Sequence, residues 1–176
     1  MRDKNLMEID STKISKKVQD IKETIKQHDQ LVRTFLRAHQ VLLLGDKEDY
    51  PLLQSIKSKL TEVSPIMLED IETEILSDSA KMNCIRKFNE GTIIMIDGNN
   101  PGTVTETNIL KDDESLLNRT FLCIKEDQPT KNYFIYFPRK VYFKDNGDLT
   151  TKLLQSIKEE ALRQAQLNVE KLLKAQ

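Results

Sequence analysis

Hydrophobic positions recur along this chain with more than one period, and each period predicts a different element. From Ile14 through Val18, Ile21, Ile25, Val32 and Phe35 they alternate at spacings of four and three, with His28 filling the remaining seam position. That is the pattern of one amphipathic helix with heptad spacing. Ser11 stands where an N-cap belongs, and neither Pro nor Gly interrupts residues 12–39. At ~1.5 Å per residue the helix would be on the order of 40 Å long, more than a small sheet needs to cover one face. The far end of the chain mirrors it. Asp148 or Thr150 is placed to cap a helix reaching about Leu173, with Leu154, Ile157, Ala161, Ala165 and Leu172 as a looser apolar stripe.

Between these ends, short apolar runs alternate with helical patterns. Val41–Leu44, Pro65–Leu68, Thr92–Ile96, Phe121–Ile124 and Tyr133–Phe137 read as five strands, and Val141–Phe143 as a short extension or hairpin at the edge. Helices are expected over Tyr50–Leu60, with Pro51 in its first turn, over Asp78–Phe88, and from near Thr103 to about Leu117. Strand and helix alternating at this spacing predict right-handed βαβ units and a parallel sheet. The expected fold is therefore a three-layer, flavodoxin-like α/β domain over residues 40–145. An N-terminal helix (1–39) and a C-terminal helix (146–176) flank it as arms, for dimerisation or for docking a partner.

Composition narrows the functional classes. The 176 residues are 38% hydrophobic and 31% charged, which suits a modest core with long solvated helices. A net charge of -1 and a pI near 6.2 give no bulk electrostatic case for nucleic acid or an anionic membrane. Cys84 and Cys123 are too few for a disulfide framework or a zinc site and read as buried small hydrophobes. The apolar runs fall far short of the ~18 residues that span a bilayer, so a reducing, cytoplasmic setting is expected.

Candidate chemistry concentrates in Gly91-Thr-Ile-Ile-Met-Ile-Asp-Gly-Asn-Asn-Pro-Gly-Thr-Val-Thr-Glu106. A β-branched strand runs into a dense turn, and a helix then starts with a carboxylate in its first turn. Open parallel sheets bind ligands beyond the carboxyl ends of their strands, at the switch point. The loop Gly45-Asp-Lys-Glu-Asp49 after the first strand should meet residues 97–103 there. Asn99, Asn100, Gly102 and Thr103, with Gly45 and Asp46, are candidate substrate contacts, since backbone N–H groups at a helix start suit phosphate or sugar oxygens. Glu106 can attack a sugar carbon or stabilise an oxocarbenium ion, and Asp97 can orient a ribose hydroxyl or leaving base. The plainer reading of Thr103 and Glu106 is a capping box, and of Asp97 a turn former. His28 reads as an interface residue, Tyr133 to Phe137 as core, and Asp46, Glu48 and Asp49 as a solvated loop in preference to a metal site.

This arrangement of apolar strand, Asp97, short turn and Gly102-Thr103-x-x-Glu106 resembles the nucleoside 2-deoxyribosyltransferase motif. Gln40-Val-Leu-Leu-Leu-Gly-Asp-Lys-Glu-Asp49, followed by Leu52, Leu53 and Leu60, is similar to the opening of Toll/interleukin-receptor (TIR) domains. Both resemblances imply a flavodoxin-like body in which the glutamate opening the third helix breaks an N-glycosidic bond. That role would fall to Glu106, with Asp97, Gly102 and Thr103 shaping the sugar pocket. The implied substrate is a nucleoside or nucleotide, NAD included, with no cofactor or metal required. The chain departs from the pattern at Thr107 and Asn108, and its flanking helices belong to neither family. The alternative is a non-catalytic interaction or nucleotide-sensing module that dimerises, or docks a partner protein, through residues 12–39.

Overall fold

The computed structural model describes residues 11–68, 78–88, 90–98 and 101–175, excluding the side chains of 11–15, 78–82 and 101–103. In chain order the elements are α1 (Ser11–Ala38), β1 (Gln40–Leu44), α2 (Tyr50–Lys59), β2 (Ser64–Met67), α3 (Asp78–Lys87) and β3 (Thr92–Ile96). They continue with α4 (Pro101–Asp112), α5 (Glu114–Arg119), β4 (Thr120–Lys125), β5 (Arg139–Phe143) and α6 (Asn146–Lys174). Single 3-10 turns lie at Lys47–Asp49 and Asn132–Tyr136.

The five strands are all parallel in the order β2-β1-β3-β4-β5, the flavodoxin-like arrangement. Leu43 pairs with Ile94, and Ile94 with Phe121, so the apolar centres of β1, β3 and β4 lie in register. Their side chains alternate between two cores. Val41, Leu43, Ile94, Ile96 and Cys123 pack with Leu53 and Ile56 of α2 and with Leu149, Leu153 and Ile157 of α6. Leu42, Leu44, Ile93, Met95 and Leu122 pack with Ile85 of α3, Ile109 and Leu110 of α4, and Leu116 of α5. Every residue of β3 is buried, as expected for a central strand covered on both faces.

Three expectations need correction. The fifth strand is Arg139–Phe143, and Tyr133–Phe137 falls mostly within the 3-10 turn before it. Phe134 and Phe137 both enter the core, and their spacing of three matches a 3-10 turn, whereas a strand would turn them to opposite faces. The helix expected from Thr103 to Leu117 is two helices, divided at Asp113, whose side chain caps α5 by accepting from the Ser115 and Leu116 N–H groups. Asp145, in place of Asp148 or Thr150, caps α6, accepting from the N–H groups of Gly147 and Asp148. The proposed Ser11 cap rests on a side chain outside those described.

The two long helices pack together at the amino edge of the sheet. Beyond Ile157, the buried residues of α6 are Ala161, Ala165 and Val169, small enough to admit a neighbouring helix closely. Among the described residues, no helix is long and apolar enough to cross a membrane.

Candidate functional site at the carboxyl edge of the sheet

Asp97 is the first residue past β3, and its N–H still donates to the Cys123 carbonyl at 2.8 Å. This extra rung continues the pleat for one residue. The side chain therefore follows Met95 onto the face covered by α4 and the 132–136 turn. It is fully enclosed there, with no side-chain exposure. Lys131 Nζ lies 2.8 Å from one carboxylate oxygen and also donates to the Gly98 carbonyl at 2.7 Å. The Tyr133 hydroxyl donates to the other oxygen. A carboxylate withdrawn from water is costly unless charged and hydrogen-bonded partners replace its hydration, and the segment before β5 supplies both.

Tyr133 links this carboxylate to α4. Thr107 hydrogen-bonds the same phenol, and burial together with the Asp97 bond and charge pushes the Tyr133 pKa well above its ordinary value. Glu106, the residue before Thr107, is itself buried at 8% exposure. It lies in the second turn of α4, since the helix begins at Pro101 and has no acidic residue in its first turn. This corrects the expected first-turn position. It also removes the capping box, because Thr103 lies inside the helix and not at its cap.

The loop after β1 reaches the same region. Asp46 and Asp49 form a capping box around the 3-10 turn, with the Asp46 N–H donating to Asp49 Oδ2 at 3.1 Å. Burial raises the Asp49 pKa, and the charges of Asp46, Glu48 and Asp97 add to it. The charge of Asp46 also reaches Tyr133. Gly45 is close-packed: a Cβ there would meet the Asp49 side chain and Leu53 at 3.3 Å. Asp46, Asp49, Asp97 and Tyr133 thus share the switch point between β1 and β3, with Thr107 beside them and Glu106 adjacent in sequence. Asn99 and Asn100 lie outside the described residues, as does the side chain of Thr103, while the backbone of Gly102 and Thr103 forms the first turn of α4. Among the described residues no His, Cys, Asp and Glu cluster is arranged to hold a metal ion.

Lys131 and Tyr133 are the site residues that sequence reasoning missed. Tyr133 was expected in the core because it stands among aromatics. Tyr133 does pack against that core, its ring 5.1 Å edge-on to Phe134, and it is the hydroxyl at its tip that reaches Asp97. Lys131 carries no signal in the sequence, since a loop lysine looks the same whether solvated or paired.

Other titratable groups fall elsewhere. Arg139 opens β5 at the opposite edge, bonded to Glu160 at 3.2 Å and stacked over Phe121. His28 is exposed on α1, 3.9 Å from Asp29. Cys123 is fully buried, which pushes its thiol pKa up, and Cys84 is half-buried; both are free.

The structure is similar to a receiver domain protein (CheY-like) from Methanospirillum hungatei JF-1, with a TM-score of 0.45 and 15% identity, covering 73% of this chain and 98% of that one. No protein-family model and no curated protein matches the sequence.

Proposed function

We propose that the carboxyl-edge site acts on an N-glycosidic bond of a nucleoside or nucleotide, with Glu106 as nucleophile or cation stabiliser. One observation carries this reading. Asp97 and Glu106 are both buried, one just past β3 and the other in the helix that follows, and Tyr133 joins the first to the residue beside the second. Sugar–base cleavage develops positive charge at the anomeric carbon, and a carboxylate shielded from water stabilises such charge far better than an exposed one. Asp97, occupied by Lys131 and Tyr133, acts by positioning: it fixes the phenol and the ammonium at the rim, where they can meet ribose or phosphate oxygens. Gly45, Asp46, Asn99, Asn100, Gly102 and Thr103 supply the remaining contacts. Hydrolysis or transfer would follow according to whether water or a second base accepts the sugar.

The test is incubation with nucleosides, nucleoside phosphates and NAD⁺, followed by chromatography for released base. Wild type releases base from at least one substrate, and Glu106→Gln loses ~10²-fold or more with an unchanged circular dichroism spectrum. Equal turnover in wild type and variant removes Glu106 from the chemistry.

The occupation of Asp97 also favours a second reading, in which the same cleft binds a nucleotide without turning it over. Saturable binding by calorimetry with no product over hours selects it.

A further inference from the structure

A cavity of about 410 Å³ opens at the amino edge of the sheet, between the end of α1, the face of α6 and the turn into β3. Phe35 of α1 and Ala165 of α6 give it an apolar side. Its polar side is basic. His39, Arg119 and Lys171 all line it, and among the described residues Glu90 is its one carboxylate. The fold uses only part of this basic set. Arg119 donates to the Ser115, Gly91 and Phe88 carbonyls, which answers the carbonyl ends of α3 and α5. Those bonds fix the guanidinium in place, and of its five N–H groups some remain for a ligand. His39 is held by Thr92 at 2.9 Å. Among the described residues, no carboxylate comes within ion-pair distance of His39, Arg119 or Lys171. Positive charge is therefore under-compensated here. Burial lowers the pKa of Arg119, offset only in part by the charges of Asp113 and Glu90, and lowers that of His39 against the charge of Glu160.

We infer that this cavity binds a small organic anion, a carboxylate joined to an apolar body, with its oxygens on Arg119 and Lys171 and its body against Phe35 and Ala165. A guanidinium already fixed by the fold recognises a carboxylate with little further ordering. Lys171 adds a second charge from α6, and Asn168, one turn before it on the same face, adds an amide. Two cations against Glu90 leave one positive charge to answer, which suits a monoanion better than a phosphate dianion. The volume falls within the range of small-molecule sites, and its mixture of apolar wall and few convergent polar groups is that of a pocket which orients its ligand. The cavity lies at the edge opposite Asp97, so the inference goes beyond the reaction proposed above and is independent of it.

Calorimetry on the full chain tests it, with benzoate as the probe. Acetate carries the same charge without the body, and benzamide the same body without the charge. Benzoate should bind with a Kd of about 1 mM, and acetate and benzamide each roughly tenfold more weakly. Lys171→Glu should weaken benzoate roughly tenfold with an unchanged circular dichroism spectrum, whereas Lys174→Glu, one turn on and outside the cavity, leaves it within about twofold. The chain's two histidines locate the ligand by NMR. The His39 ring resonance moves on titration, and that of His28, about three turns back along α1, does not. The inference is overturned by benzoate that fails to saturate by about 10 mM, by benzamide binding as tightly, or by indifference to Lys171→Glu. A His39 resonance that stays still while benzoate binds puts the ligand elsewhere and overturns it too.

Discussion

The two edges of the sheet treat a partly or wholly buried carboxylate in opposite ways. At the amino edge, Glu160 of α6 keeps some exposure and is surrounded by donors: Arg139 at 3.2 Å, Arg163 at 2.6 Å and Gln164 at 3.1 Å. At the carboxyl edge, Asp97 is sealed completely and relies on one lysine and one phenol from a single short segment. The backbone differs in the same sense. At the amino edge Arg119 donates to the Ser115, Gly91 and Phe88 carbonyls at 3.0, 3.3 and 2.8 Å, satisfying groups where helices end and β3 begins. His39 meets Thr92 at 2.9 Å beside it. The amino edge is built for stability. The carboxyl edge holds charge in a setting that costs stability, which is where fold and function part company.

The sharpest way to break this comparison is at Gly91, on the amino side. Its φ of +98° is open to glycine, and a Cβ there would lie 2.2 Å from the Gln40 carbonyl oxygen, a backbone atom that cannot swing aside. Gly91→Ala should cost about 3 kcal/mol or more, combining φ strain with displacement of β1 from β3. Urea unfolding measures it. A loss below about 1 kcal/mol would mean the amino edge tolerates a shift that its packing argues against.

Lys131 comes next, on the carboxyl side. Removing one partner of a buried ion pair leaves the other charge uncompensated, and Lys131 keeps 21% side-chain exposure, so water can replace part of what is lost. Lys131→Met is expected to cost about 2–4 kcal/mol, and Asp97→Asn added to it should recover part of the loss. Tyr133→Phe, which deletes one hydrogen bond to the same carboxylate, should cost about 1–3 kcal/mol. If Asp97→Asn alone stabilises the fold while abolishing base release, the edge is strained for function. If it changes neither, Asp97 is a turn residue after all.

How much of this was legible in the sequence depended on what each position owes to its neighbours along the chain. Strand order and the pairing of β1 with β3 followed from apolar runs at βαβ spacing, because a strand buried on both faces must be apolar throughout. β5 was harder. It is an edge strand with Lys140 and Tyr142 exposed and only Val141 and Phe143 buried, so its pattern was weaker than that of the aromatic cluster before it. The Asp97 and Glu106 region was legible because a turn-rich segment after a buried strand is a local signal. The lysine and phenol that cover Asp97 come from 34 and 36 residues further on, and only the fold brings them there.

Glu160 offers the gentlest test, and one whose pH dependence has a definite sign. Burial alone would raise its pKa, but hydrogen bonds from Arg163 and Gln164 and the charges of Arg139 and Arg163 outweigh burial and hold it near about 2, below the ordinary 4.5. A carboxyl depressed on folding contributes stability that is fully present above pH 4.5 and is lost as pH falls toward 2. The arginine partners keep 31% and 53% side-chain exposure, so solvent screens the pairs and the contribution should be about 1 kcal/mol. Glu160→Gln should therefore cost that much at pH 7 and progressively less as pH falls from 4.5 toward 2, where about half of the folded-state carboxyls are protonated. Arg139→Gln should remove more of the pH dependence than Arg163→Gln. Arg139 reaches Glu160 from β5 and ties sheet to helix, while Arg163 is a neighbour on the same helix and stays close in the unfolded chain. Equal effects of the two arginines would show that the amino edge holds Glu160 through local helix contacts alone. The contrast with Asp97, held entirely from a distant segment, would then be sharper still.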